Sequence, residues 1–161
     1  MDIKEIKYWA SCFRQGIEIA KRERLFRRRP FSDFPNACCT DAPDLLAEYL
    51  IEHDSAHSIS CQYVYGVYRY DEFENIYGHA WLQIDKSIIV DITADQRQFN
   101  CEIFPKNAFV PCFVERQSAF HSLFEIEPLG CREFYGLKLL GEDSYNRLKP
   151  IYDIITQCIN E

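Results

Sequence analysis

Gly78-His79-Ala80-Trp81-Leu82-Gln83-Ile84-Asp85 and Ser87-Ile88-Ile89-Val90-Asp91-Ile92-Thr93 decide the fold. Ala80, Leu82 and Ile84 alternate with non-core positions, as do Ile88, Val90 and Ile92. This is the period of two half-buried strands, and the short gap between them makes an antiparallel hairpin. With both apolar sets facing one core, only registers that oppose even with even positions are allowed. The tightest of these pairs Ala80 with Val90 and Leu82 with Ile88. It sets His79 directly across from Asp91, on the other face with Trp81. Opposed Cβ atoms lie about 4.5–5.5 Å apart, close enough for an imidazole–carboxylate hydrogen bond, and a slip of two residues makes the pair diagonal.

Outward from the hairpin, Ser60 to Tyr70 is rich in Val and Tyr and reads as a further strand. Ala108 to Val114 contains Pro111 and reads as an edge strand or short extended piece. Ile3, Ile6, Ala10, Phe13, Ile17 and Ala20 form one stripe of an amphipathic helix that Pro30 is expected to end. Leu45, Leu46, Tyr49 and Leu50 mark a second helix, with Asp41 and Asp44 near its positive end. Tyr145, Leu148, Ile151, Ile155 and Ile159 mark a C-terminal helix, broken or started at Pro150. Helices first and contiguous strands after give an α+β order, with N-terminal helices packed on an antiparallel sheet. The 161 residues are expected to make one domain, 1–161.

Composition narrows the function classes. Hydrophobic residues are 47% and charged residues 27%, a profile that excludes disorder. No apolar run reaches the ~18 residues of a membrane span. The chain carries a net charge of −7 and its bases cluster in the first thirty residues, so the body is acidic, which argues against nucleic acid as a partner. The tract Lys21-Arg22-Glu23-Arg24-Leu25-Phe26-Arg27-Arg28-Arg29 is expected to be the solvated C-terminal end of the first helix. MDIKEIKYWA lacks an export-type start, and none of the eight cysteines forms a CxxC pair. Free thiols and a cytoplasmic protein are expected, or an effector delivered from one cell into another.

A His–Asp couple fixes one imidazole tautomer and raises the basicity of the far nitrogen, as a nucleophile's base requires. Cys39 follows a Pro-containing loop and opens the helix expected from about Thr40. A helix N-terminus favours a thiolate, and its N–H groups suit an oxyanion. Cys38, one residue earlier, is the competitor.

Phe34-Pro35-Asn36-Ala37-Cys38-Cys39-Thr40-Asp41-Ala42-Pro43-Asp44-Leu45-Leu46, His79-Ala80-Trp81-Leu82-Gln83-Ile84-Asp85 and Val90-Asp91-Ile92-Thr93-Ala94-Asp95-Gln96 together resemble segments of bacterial papain-like and transglutaminase-like cysteine enzymes. The resemblance implies a papain-like α+β core with nucleophile Cys39, base His79 and orienting acid Asp91. It departs at Ala37, where the family has glycine, at Pro43 in place of serine, and at Phe99, two residues late. A methyl at position 37 restricts the loop if φ there is positive. Asp33 stands where a papain-type glutamine would supply the second oxyanion donor, leaving Gln62 or Gln83 for that role.

The function implied is acyl transfer through a thioester on Cys39. Peptidase or amidase action, including deamidation of protein glutamine, comes first. Amine transfer of the transglutaminase type and a non-catalytic protein-binding module are the alternatives. A protein or peptide substrate and no cofactor are expected. No metal is expected either: His53 and His57 with Cys38 and Cys39 lack zinc-site spacing, and Asp71, Glu72 and Glu74 read as a solvated turn. Asp95 is the next acid after Asp91 for the orienting role, and His121 reads as structural. Spaced tyrosines at 63–70 pack a sheet, and no glycine-rich phosphate loop is present.

Overall fold

Asp2 starts the first helix, α1 (Ile3–Arg22). Its carboxylate accepts from the Lys4 and Glu5 N–H groups, and Glu5 reaches back to the Asp2 N–H, a capping box. The expected stripe of Ile6, Ala10, Phe13, Ile17 and Ala20 is buried. The helix stops well before Pro30, contrary to expectation. Arg24 takes a left-handed conformation (φ 57°), and the Leu25 and Arg24 N–H groups bond Ala20 O and Lys21 O. These are the paired hydrogen bonds of a Schellman motif. Only Lys21 and Arg22 therefore belong to the last helical turn, and the remaining arginines of the basic tract lie in the loop beyond it.

The computed structural model describes residues 1–70, 76–99, 104 and 110–160. After α1 come α2 (Ala42–His53), β1 (Cys61–Arg69), β2 (Ile76–Ile84), β3 (Ile88–Asp91), β4 (Phe113–Glu115), β5 (Glu125–Phe134) and α3 (Glu142–Asn160). The strands form one antiparallel sheet in the order β4-β3-β2-β1-β5, so the protein is α+β. Pro150 lies inside a continuous α3, neither breaking nor starting it. That helix buries Leu148, Tyr152, Ile155 and Cys158 among the α1 and α2 side chains. The expected acidic turn at Asp71, Glu72 and Glu74 lies outside the described residues, as do Ala108 and Phe109 of the expected strand that ends at Val114. What is observed there is β4, beginning after Pro111. No helix of the described residues is long and apolar enough to cross a membrane.

The hairpin register differs from the tightest one by two residues: Leu82 opposes Val90 and Ile84 opposes Ile88. The reason is the turn. Asp85 and Lys86 both take positive φ (50° and 54°), the Ser87 N–H bonds Ile84 O, and three residues are consumed before pairing resumes. Even positions still face one core. Leu82, Ile84, Ile88 and Val90 pack with the three helices, while Trp81 packs with Val64, Phe99, Phe104, Phe120 and Phe124 in a second, aromatic cluster. Gly66, opposite His79, is required there, because a Cβ would come within 2.8 Å of the Phe124 Cβ.

One buried cation joins these layers. Arg14, on α1, makes paired bonds of 2.8 Å to Asp95 and donates to Ile92 O and Pro111 O at 2.6 Å each. Its guanidinium also lies over the Phe34 ring. The segments after β3 and before β4 are thereby fixed to α1. Replacing Arg14 with Met leaves Asp95 and two carbonyls without their donor, and urea unfolding should show a loss of about 3 kcal/mol. Arg14→Met with Asp95→Leu should recover a large part of it. A single variant within ~0.5 kcal/mol of the parent would show that the guanidinium does not hold these segments.

Candidate functional site

Asp91 closes β3, and its carboxylate is almost fully buried. Burial raises the cost of its charge, so the charge must be matched by donors. Oδ1 accepts from the Thr93 N–H (2.7 Å) and hydroxyl (3.0 Å), while Oδ2 accepts from His79 Nε2 (2.7 Å) and His121 Nε2 (3.0 Å). With four donors aimed at it, the carboxyl is held well below the ordinary carboxylate range despite its desolvation. The slip in register makes His79 and Asp91 diagonal rather than opposed, and their side chains still span the gap.

His79 donates its Nε2–H to the ionised Asp91, so the unprotonated nitrogen of its neutral form is Nδ1. Gln96 meets that edge: its Nε2 lies 3.4 Å from His79 Nδ1, while its Oε1 accepts the Ala37 N–H at 3.0 Å. With its oxygen so occupied, the amide presents its NH2 side to the ring. Desolvation pulls the His79 pKa down, but the Asp91 charge and hydrogen bond and the nearby Cys39 sulfur outweigh it and hold the ring above its ordinary value.

Cys39 completes the group. The Cys38 carbonyl accepts from the Asp41 and Ala42 N–H groups, so Cys39 stands on the opening turn that leads into α2, slightly ahead of the helix proper. Burial pushes its thiol up. The His79 ring, the Gln96 side chain and the Ala80 backbone amide together reverse this and hold it below its ordinary value. Cys38 behaves oppositely: it is wholly buried, its sulfur lies 3.4 Å from Asn36 O, and burial with the Asp41 charge pushes it up to about 12. Asp41 itself is paired with Arg147. The structure thus brings together Cys39, His79 and Asp91, and adds Gln96 and His121.

The other expected candidates sit elsewhere. Asp95 is committed to Arg14 and is no substitute for Asp91. Gln62 bonds Glu133 and lies opposite Gln83, which is four residues, about 13 Å, along β2 from His79. Neither is the donor beside Cys39; Gln96 is. His53 bonds Tyr49 O at the far end of α2 and packs against Trp9 and Tyr49.

His79 Nε2, Asp91 Oδ2 and His121 Nε2 are close enough to be weighed as metal ligands. Their separations of 2.7 and 3.0 Å are also those of two hydrogen bonds accepted by one carboxylate oxygen.

Ala37 takes φ 57°, a conformation that costs an L-residue with a Cβ about 1–2 kcal/mol. Ala37→Gly should therefore raise stability by about 0.5–1 kcal/mol in urea, the strain relief being partly offset by the freer unfolded chain. A loss of stability would show that the methyl group packs favourably there. A second prediction follows from linkage. The depressed Asp91 pKa gives stability that is complete above about pH 4 and lost as pH falls through the folded value. The raised His79 pKa gives stability complete below about pH 6.5 and lost as pH rises through the folded value. The stability gap between the parent and Asp91→Asn should thus be widest near pH 5, about 3 kcal/mol, and narrow on both sides. A gap that does not change with pH would separate these two groups from the pH dependence of folding.

Compared with protein-family models, with curated proteins and with solved structures, the chain matches none of them.

Proposed function

We propose that this protein is a thiol hydrolase that cleaves an amide bond of a protein or peptide, as a peptidase or amidase, by acyl transfer to Cys39. The observation that carries the proposal is the arrangement around one imidazole: Asp91 anchors Nε2 of His79, the Gln96 amide stands at its Nδ1 edge, and the Cys39 thiol is in hydrogen-bond reach of both the ring and Gln96. A papain-like or transglutaminase-like arrangement, with a thiol at the head of a helix against an antiparallel sheet, is the architecture this reading adopts.

In the proposed reaction His79 Nδ1 takes the Cys39 proton, and the thiolate adds to the substrate carbonyl carbon. The oxyanion takes hydrogen bonds from the Gln96 Nε2–H not aimed at His79 and from N–H groups of the turn opening α2 other than those of Asp41 and Ala42, which bond Cys38 O. Collapse breaks the C–N bond, the leaving amine receives the proton from His79 Nδ1, and a thioester remains. Water, losing a proton to the same nitrogen, then cleaves the thioester and restores the thiol. Deamidation of a glutamine side chain follows the same steps, with ammonia as the leaving amine. Asp91 keeps the imidazole in the required tautomer throughout. The pairing of Asp41 with Arg147 limits its ability to raise the thiol pKa.

Limiting iodoacetamide at about pH 6 should alkylate Cys39 ahead of Cys38, Cys12 and Cys158, because a lowered thiol pKa leaves more thiolate than the ~8.5 of a free cysteine. His79→Ala should slow Cys39 alone. Incubation with a library of peptides and amides should then give cleavage or a deamidation mass shift that Cys39→Ser abolishes and Cys38→Ser does not. Should Cys38 react first, the nucleophile is misassigned by one residue. An amine adduct would select the transferase class, and a Cys39 no faster than Cys12 would leave a protein-binding module.

A further inference from the structure

We infer that His121 is a positioning residue of this site, holding the Asp91 carboxylate, and through it the His79 ring, by a hydrogen bond from Nε2, with Ser118 supporting the opposite ring nitrogen. The inference deepens the acyl-transfer reading of Cys39 and rests on it for its functional meaning. His121 lies between β4 and β5, at the start of a short 3-10 turn, His121–Leu123. Ser118 Oγ accepts the His121 backbone N–H (3.1 Å) and lies 2.6 Å from Nδ1 of the same ring. Nε2 of the ring faces Asp91 Oδ2 at 3.0 Å, and an ionised carboxylate only accepts, so the ring's proton is on Nε2. Nδ1 of the neutral ring then accepts the Ser118 hydroxyl proton, while the hydroxyl oxygen takes the backbone N–H. The depressed His121 pKa, caused first by burial, agrees with this neutral tautomer.

The arrangement is more than packing. Trp81, Phe113 and Phe120 surround the His121 ring at centroid distances of 4.9–5.2 Å, an environment that a phenylalanine would also fill. What only an N–H donor supplies is the fourth bond to Asp91. Thr93 fixes Oδ1 with two donors, and His79 by itself would leave Oδ2 with one, so the carboxylate would be free to turn about its Thr93 bonds. Since both His121 ring nitrogens are engaged, it acts on the reaction through Asp91 and has no free nitrogen for a substrate.

The test compares His121→Phe, which keeps the ring volume without the donor, with His121→Gln, whose side-chain amide restores an N–H toward Oδ2. In isotope-labelled protein, solvent exchange of the His79 Nε2 proton should quicken about 10-fold in His121→Phe and return to within ~3-fold of the parent in His121→Gln. The pH profile of Cys39 alkylation should show its acid limb raised by about one unit in His121→Phe and restored in His121→Gln. A folded His121→Phe with unchanged exchange overturns the inference, as does a His121→Gln that rescues neither readout. Should His121→Phe not fold, Ser118→Ala removes the hydroxyl that supports Nδ1 and should quicken the same exchange. An unchanged rate in Ser118→Ala would likewise overturn the inference. A parent Cys39 that alkylates no faster than Cys12 would defeat the acyl-transfer reading, while the proton-exchange comparison still decides the role of His121.

Discussion

A carboxylate taken out of water must be surrounded by donors or give up its charge. Asp91 is surrounded, and the requirement reaches far beyond β3. It dictates the turn that brings Thr93 back onto Oδ1, the rotamer that carries His79 across a diagonal of the sheet, and the placing of His121 from a connection thirty residues away. A single displaced donor would leave part of a buried charge unmatched, so these segments stand or fall together. Arg14 secures the same region from behind by holding Ile92 and Asp95. Two aspartates four residues apart thus have separate duties: one faces imidazoles in the aromatic cluster, the other neutralises a buried guanidinium.

The parts of this arrangement legible in the sequence are those governed by short periods. The α1 stripe and the alternation in β2 and β3 follow from which face must be buried, and parity alone assigns His79 and Asp91 to the same face. The exact pairing was beyond that logic. It depended on the turn at Asp85-Lys86, whose two positive φ angles fall on residues that do not advertise them as glycine or asparagine would. The same holds at the end of α1, where an arginine occupies the left-handed closing position and Pro30 draws attention to the wrong boundary.

The remaining site residues were hidden for another reason. Gln96, His121 and Arg14 act through contacts between segments far apart in the chain, and their neighbours in sequence carry no trace of it. Gln96 had one available signal, its place at the end of the Val90–Gln96 segment five residues beyond Asp91. Gln62 and Gln83, the glutamines that the sequence offers as oxyanion donors, are placed by the sheet opposite one another and away from the thiol. Ala37 links the two levels. Its strained backbone points an N–H at Gln96 Oε1, and that bond turns the amide nitrogen toward His79.

The adjacent cysteines show how little sequence distance means for chemistry. Both thiols are buried, and burial alone would make both inert. Their difference comes from what each sulfur faces. Cys38 looks back toward a backbone carbonyl and lies near the charge of Asp41, groups that disfavour a thiolate. Cys39, one step further into the turn, lies beside an imidazole, an amide and a backbone N–H, all of which favour it. Successive side chains of the turn ahead of α2 leave the backbone in different directions, which puts the Cys38 sulfur in the core and the Cys39 sulfur beside the His79 ring, so that opposite pKa directions arise from identical side chains.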